Sequence, residues 1–385
     1  MIAARLRDRR IKMGLDIRDL SASASISAQH LRDIETGRRA PSLKTLLLLT
    51  DLLALPTSAW LEGYLVEESR LLPLIQIGEY LFRVGDLIGT AAVLKRLRSL
   101  RSLVRENQRD QGRIFHLWGM LTYRESRFAR SLVWFLRAER AAKHSKDSKR
   151  VADAAYNAAL AMMKTGLLSQ AVAKFGEAMG SYERLGDQRK AAYARLTTAN
   201  TLLEMQSYRE ALPMYRRAAH ALRGDPWYFD CKLGEAICLW RTRSPVSALE
   251  SLVSLEKFAQ DADRQARYHH NLGVIYRQLG ALDDAIAHLD IALKESTASQ
   301  PPRPEFFAEM CLCRVLVRDV TGAAEMLDEF NAFAGAKDPQ DVLAMAILSY
   351  VLGRAPFVEP LPRYVTDGYE QRLIAAVDLL RPGAA

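Results

Sequence analysis

The residues best suited to chemistry lie near the start of the chain. Ala28, Gln29, His30, Arg32 and Asp33 are small or polar and share the outward side of a short stretch with helical spacing. Amides, imidazoles and guanidinium groups so placed can match the donor and acceptor pattern of base edges. Arg38, Arg39 and Lys44 flank them as cations for backbone phosphates, and Arg18 and Ser27 complete the expected DNA-binding set. Catalysis finds no comparable support. The chain has no Gly-rich phosphate loop, no His-Glu-x-x-His and no nucleophile beside a base, so no enzyme and no cofactor are expected. The adjacent His269 and His270 point to different faces of a helix, which makes a poor metal pair. Cys231, Cys238, Cys311 and Cys313 form no Cys-x-x-Cys pair and sit in apolar helical surroundings. They read as reduced, buried thiols rather than metal ligands.

Two short helices must position those polar groups. Asp16 and Ser27 are good N-caps, since their side chains can accept the unpaired N–H groups of the next turn. Ser25-Ile26 is the turn between them. Leu20, Ala24, Ile26, Leu31 and Ile34 give an apolar face at helical spacing, so the helices can bury against each other. Gly37 ends the second helix and Pro41 prevents its continuation. An amphipathic helix over 2–13, with Arg5, Arg9 and Arg10 exposed, should pack on this pair. A fourth helix follows over 42–53, with Leu43, Leu46, Leu47, Leu49 and Leu52 inward. Pro56-Thr57-Ser58 opens a fifth that runs to Ser69, whose Trp60, Leu61, Tyr64 and Leu65 suit either the core or a dimer contact. Pro73 is the expected break before the next unit.

The stretch Leu15 to Pro41 resembles the Cro/repressor (XRE) helix-turn-helix without gaps. The family's apolar positions fall on Leu20, Ile26, Leu31 and Ile34, and its signature Ile-Glu-x-Gly-Arg-Arg-x-Pro-Ser on Ile34 to Ser42. The resemblance implies that Ala28 to Asp33 form the recognition helix, with Gln29 where the family often places a base-reading Gln. Two departures stand out. Ile17 occupies the usual phosphate-binding Gln position. Ser25 replaces the usual turn Gly, which asks Ser25 to adopt an unusual backbone angle.

Charge agrees with a polyanionic partner. Of the formal +9, residues 1–66 carry +3, 67–150 carry +9 and 151–385 carry −3. Lys95, Arg96, Arg98, Arg101, Arg105, Arg109 and Arg113 supply much of the middle value. The run suits either a solvated helix face or an auxiliary DNA contact. No run of about twenty apolar residues occurs, so no transmembrane helix and no membrane partner are expected. The N-terminal Arg residues precede no apolar stretch or cleavage site, and a cytoplasmic location is the expectation.

From about residue 74 the chain repeats. A small residue, then a large apolar one four later, then a small or apolar one three beyond, recurs at Ser131/Phe135/Ala138, Ala171/Phe175/Ala178, Ala211/Tyr215/Ala218, Ala248/Leu252/Leu255, Ala285/Leu289/Ala292 and Ala323/Leu327/Phe330. The starts are 40, 40, 37, 37 and 38 residues apart, with a weaker copy at Thr90/Leu94/Leu97. Each copy follows another amphipathic helix and a turn such as Thr165-Gly166 or Leu279-Gly280. The period indicates stacked helix hairpins, none of which can bury its apolar face alone. The copy Asn271 to Ala292 resembles the tetratricopeptide (TPR) motif: Leu272-Gly273, Tyr276, the turn Gly280, then the triplet. The expected fold is therefore all-α, with a five-helix XRE domain over 1–70, a TPR-like α-solenoid over 74–335 and capping helices over 336–385.

In such an array the first helix of each hairpin lines the concave side. Asn157 and Asn271 occupy equivalent places there, with Tyr193, Thr197 and Asn200 on the corresponding helix of an intervening repeat. Arg113, Lys164, Arg241, Arg267 and His270 add positive charge. An Asn amide can donate and accept, which suits a peptide backbone, and the cations suit carboxylates. The same residues suit an equally plain role, satisfying neighbouring helices or facing water. An XRE domain followed by TPR repeats resembles the bacterial peptide-pheromone receptors of the Rgg/PlcR type. That resemblance implies a homodimeric transcription regulator that binds double-stranded operator DNA, expected to be an inverted repeat, and senses a peptide or protein effector. It carries the concave Asn role to Asn157 and Asn271, and to Asn200. The alternative is a TPR adaptor whose helix-turn-helix mediates protein contact.

Overall fold

The computed structural model describes residues 2–39, 41–56, 61, 65, 70–100, 104, 107–242, 244–299, 303–332, 349 and 352–353. Among the described residues there are eighteen α-helices, one short 3-10 turn and no strand, so the all-α expectation holds. The chain divides into two compact units, residues 1–194 and 195–385.

The first unit begins with α1 (Ile2–Lys12), α2 (Ile17–Ser23), α3 (Ala28–Glu35) and α4 (Leu43–Leu52). The expected caps form. Asp16 accepts from the Ile17 N–H at 2.6 Å, and Ser27 accepts from the His30 N–H at 3.1 Å. Ser25 takes the left-handed backbone at φ 53°, and Gly37 does so at φ 74°. An L side chain is disfavoured there, so Ser25 carries a strain that Gly would avoid. Ile17 packs against the apolar cluster instead of presenting a polar group. One expectation for α1 is corrected: Arg5 is exposed, but Arg9 and Arg10 are partly buried. Arg9 Nε donates to the Leu53 carbonyl at 2.9 Å, and Arg10 clamps Glu35. Buried carbonyls and carboxylates need donors, and these two guanidinium groups supply them.

Hairpin helices follow: α5 (Leu71–Arg83), α6 (Leu87–Ser99), α7 (Gln108–Arg124), α8 (Phe128–His144), α9 (Ser148–Lys164) and α10 (Leu168–Arg184). The first turns of α11 (Gln188–Glu204) close the unit. Pro73, the expected break, falls just inside a helix. It lies in the first turn of α5, where its missing N–H would have had no helical partner. One apolar cluster runs from Leu6, Leu20, Leu31 and Ile34 through Leu46, Leu49 and Leu74 to Leu94, Leu117 and Leu121. Tyr80 of α5 donates to the Asp51 carboxylate of α4 at 3.0 Å. A head of this size has little interior of its own, and the first repeat helices complete it. Of the expected fifth helix, only Leu61 and Leu65 are described, and Leu61 is buried; Trp60 and Tyr64 lie outside the described residues. So do Arg101 and Arg105 of the basic run.

The second unit continues with α12 (Tyr208–Ala221), α13 (Tyr228–Thr242), α14 (Pro245–Val253), α15 (Ala262–Gln278), α16 (Leu282–Ser299), α17 (Pro304–Leu316) and α18 (Val320–Ala332). Every residue of the repeating triplets is buried, from Thr90/Leu94/Leu97 to Ala323/Leu327/Phe330. Close approach needs small partners. A Cβ on Gly119 would lie 2.5 Å from the Phe135 ring, and one on Gly273 would lie 2.6 Å from Leu289 Cγ. Gly166 and Gly280, at φ 77° and 81°, end their helices as the turn pattern implied. The four Cys are buried and unbridged, and burial pushes each thiol up to about 12. The capping helices expected over 336–385 lie outside the described residues, apart from positions 349, 352 and 353.

Candidate functional site

Two sets of polar groups stand out in the first unit. The first is on α3. Leu31 and Ile34 are buried, which turns Gln29 and Arg32 to solvent and leaves Ala28, His30 and Asp33 half-buried beside them. Gln29 Nε2 donates to Asp33 Oδ1 at 3.0 Å, and Arg32 Nη1 donates to Gln29 Oε1 at 3.4 Å. The Gln29 amide therefore keeps one N–H and one lone pair unused by this network. Such a pair matches the N7 acceptor and N6 donor of an adenine in the major groove. Arg18, Arg38, Arg39, Ser27 and Lys44 are all exposed. The backbone N–H of Arg39 donates to the Asp33 carbonyl at 3.1 Å, which ties the basic stretch to the end of α3.

The second set lines a cavity of about 330 Å³ formed by His116 of α7, Asp153, Tyr156 and Asn157 of α9, Tyr182 of α10, and Lys190 and Tyr193 of α11. Asp153 Oδ1 accepts from Tyr182 OH at 2.8 Å and from Lys190 Nζ at 2.6 Å. Asn157 Nδ2 and His116 Nε2 lie 3.4 Å apart. Burial pushes the His116 imidazole below its ordinary value, so it is neutral at pH 7. Burial, and then Asp153, push the Tyr182 phenol up, so it remains a donor. A neutral imidazole, an amide, phenols and one ion pair make a recognition surface, and none of these groups is an activated nucleophile.

The remaining expected ligand residues are less available. Arg113 makes a two-point ion pair with Glu79, at 3.0 and 2.7 Å. Lys164 is exposed in the last turn of α9 and does not line the cavity. In the second unit Asn200 Oδ1 accepts from the buried Tyr215 hydroxyl at 2.7 Å. Asn271 folds back on its own helix, donating to the Arg267 carbonyl at 2.8 Å. Arg267 pairs with Asp230 at 2.7 Å, and Arg241 lies over the Trp240 ring at 4.2 Å. His270 stacks on Phe306 with ring centroids 4.4 Å apart, and burial pushes it down to about 4. It is no cation at neutral pH, which corrects its inclusion among the positive charges. Thr197 is half-buried on α11.

Residues 6–60 match the helix-turn-helix family HTH_3. The HTH-type transcriptional regulator DdrOP3 of Deinococcus deserti is 39% identical over 62 residues, which are 16% of this chain and 48% of that protein. The N-terminal segment is a helix-turn-helix domain of the XRE type. This chain spans about half the length of that curated relative. Among solved structures, the apo form of the quorum sensor NprR from B. thuringiensis superposes with a TM-score of 0.57 at 13% identity, covering 95% of this chain and 99% of that one. A tetratricopeptide repeat protein from Parabacteroides merdae gives 0.54 at 13% identity, covering 73% and 98%. At such identities the likeness establishes the fold, a helix-turn-helix head followed by TPR-like repeats.

Within the repeats, residue-type reasoning found Asn157 and Tyr193 but missed His116, Asp153, Tyr156, Tyr182 and Lys190. The missed signal was the register of the repeats. The helices α7, α9 and α11 begin at 108, 148 and 188, so their places correspond at intervals of 40. Arg113, Asp153 and Tyr193 share one place, and His116 and Tyr156 share another. The same register aligns Asn157 with Thr197 rather than with Asn200. Tyr182 comes from a second helix, and no register argument on first helices reaches it.

Proposed function

We propose that this chain is a sequence-specific transcription regulator whose repeats sense a peptide or protein effector. The observation that carries the reading is α3, a capped helix whose buried Leu31 and Ile34 hold the Gln29 amide outward with one donor and one acceptor unspent. The exposed cations around it suit phosphate contacts, and the match to a transcriptional regulator over this domain supports the assignment. The cavity of His116, Asp153, Asn157, Lys190 and Tyr193 is the favoured effector site. Its neutral donors and acceptors suit peptide groups, and the Lys190–Asp153 pair can open to take a terminal charge. The fold shared with a quorum sensor agrees with this. A homodimer on an inverted repeat is the geometry we favour, with half-sites about 34 Å apart or a multiple of that. A cytoplasmic location fits a DNA-binding protein in which, among the described residues, no helix is long and apolar enough to cross a membrane.

The test is selection of bound duplexes from a random pool by the full chain, followed by anisotropy on the recovered site at several salt concentrations. One recurring inverted repeat, with affinity falling steeply as salt rises, is the expected result. Binding that ignores sequence refutes the regulator reading, and a recurring single half-site bound by one copy refutes the dimer.

A further inference from the structure

A second cavity, of about 520 Å³, lies between α6, α7 and α8. It uses another face of α7 from the one that carries His116. Its wall is apolar and aromatic: Leu97, Phe115, Trp118 and Trp134. Trp118 and Trp134 stack with centroids 5.7 Å apart and planes 19° apart, and Phe115 stacks on Trp134 at 5.7 Å and 28°. Stacked against one another in this way, the three rings line one side of the cavity with apolar aromatic surface. Packed interiors leave few voids larger than a water molecule, whereas ligand sites occupy roughly 300–1,000 Å³.

The rim has a definite charge. Arg98, Arg127 and Arg130 line it, and among the described residues Glu125 is the one carboxylate that does so. Glu125 pairs with Arg127 at 3.2 Å. Arg98 and Arg130 are exposed and have no ion-pair partner among the described residues. A cavity with an aromatic floor and two uncompensated guanidinium groups at its mouth is complementary to a molecule with a flat apolar body and one anionic end. Guanidinium groups bind carboxylates through paired N–H donors, so the anion has a geometric as well as an electrostatic match.

We propose that this cavity is a binding site for a small amphipathic carboxylate, its apolar body on Trp118 and Trp134 and its charge at Arg98 and Arg130. The site is independent of the effector cavity at His116 and of the DNA-reading helix. Its wall belongs in part to the apolar cluster that continues to Leu31 and Ile34 of α3.

The test uses 2-naphthylacetate as the probe and 2-naphthaleneethanol as its uncharged analogue. Both are titrated into the full chain, read by calorimetry and by quenching of Trp fluorescence. The acid should bind saturably at one site per chain, about tenfold more tightly than the alcohol, as expected for charge-assisted hydrogen bonds at a partly apolar mouth. Arg98→Gln/Arg130→Gln changes only exposed side chains and should abolish that preference while leaving the alcohol's affinity unchanged. Ala91→Phe, which places a ring in the cavity, should abolish binding of both. No saturable binding by the wild type overturns the proposal. So does equal affinity for acid and alcohol, or an acid preference that survives the double Arg substitution.

Discussion

Removing Arg10 should destabilise the DNA-binding head far more than a surface substitution would. Its guanidinium donates to both oxygens of Glu35, at 2.7 and 2.9 Å, and a third donor reaches the Leu15 carbonyl at 3.0 Å. The Glu35 side chain is only 3% exposed and the Arg10 side chain 13%, so neither charge has much access to water. Arg10→Ala leaves a carboxylate buried at the end of α3 with its main partner gone. Breaking such a pair from one side costs about 3–5 kcal/mol, against about 0–1 for an exposed pair. In a unit of this size that corresponds to a fall in Tm of roughly 6–20 °C. Removing both charges is different, because no orphan remains. Arg10→Met/Glu35→Leu should therefore recover most of the loss, to within about 1–2 kcal/mol of wild type. Urea and thermal unfolding of the full chain, followed by circular dichroism at pH 7, would measure all three proteins. An Arg10→Ala loss below about 1 kcal/mol would mean the pair is effectively solvated. A double variant as unstable as the single one would move the cost from charge to packing. Since α3 ends on Glu35, Arg10→Ala should also weaken operator binding without removing a DNA contact.

Three further outcomes are expected. Gln29→Ala should cost about 1–3 kcal/mol on the selected site and relax preference at one base pair, whereas Arg39→Ala should weaken all duplexes alike and lower the salt slope by about one; anisotropy on cognate and random DNA separates the two. His270 is pushed down to about 4 from an ordinary 6.5, so the unfolded chain takes up a proton first as the pH falls. Its contribution is intact above pH 6.5 and is lost as the pH drops toward 4, by about 1–2 kcal/mol at pH 5, and His270→Phe should remove that share of the pH slope in urea midpoints. Gly273→Ala should destabilise the second unit by about 1–3 kcal/mol, because its Cβ would meet Leu289 Cγ at 2.6 Å and the Ala285 carbonyl oxygen at 3.1 Å, and the backbone oxygen cannot rotate away. A thermal melt of Gly273→Ala that matches wild type would refute that packing.

Local chemistry determined much of this protein in advance. Capping side chains, turn residues and helical periodicity act within a few residues of one another, so Asp16, Ser27 and Gly37 marked the ends of α2 and α3 before any contact was known. The repeat was legible for the same reason. A hairpin that must bury a small/large/small triplet repeats it, and every such triplet, from Thr90 to Phe330, is buried. Tertiary structure decided what residue types alone leave open: whether a polar side chain is available or already satisfied. Arg113, Arg267, Asn271 and His270 look like free binding groups in sequence, yet Glu79, Asp230, the Arg267 carbonyl and Phe306 engage them. Arg10 looks like a surface cation, and Glu35 makes it structural. His116 and Asn157 meet across 41 positions of sequence, and Asp153 gathers Tyr182 and Lys190 from two other helices. Periodicity places a residue on a face of its own helix. Which charge, ring or carbonyl a neighbouring helix brings to that face depends on the packing of hairpins against one another, and only the folded chain contains that information.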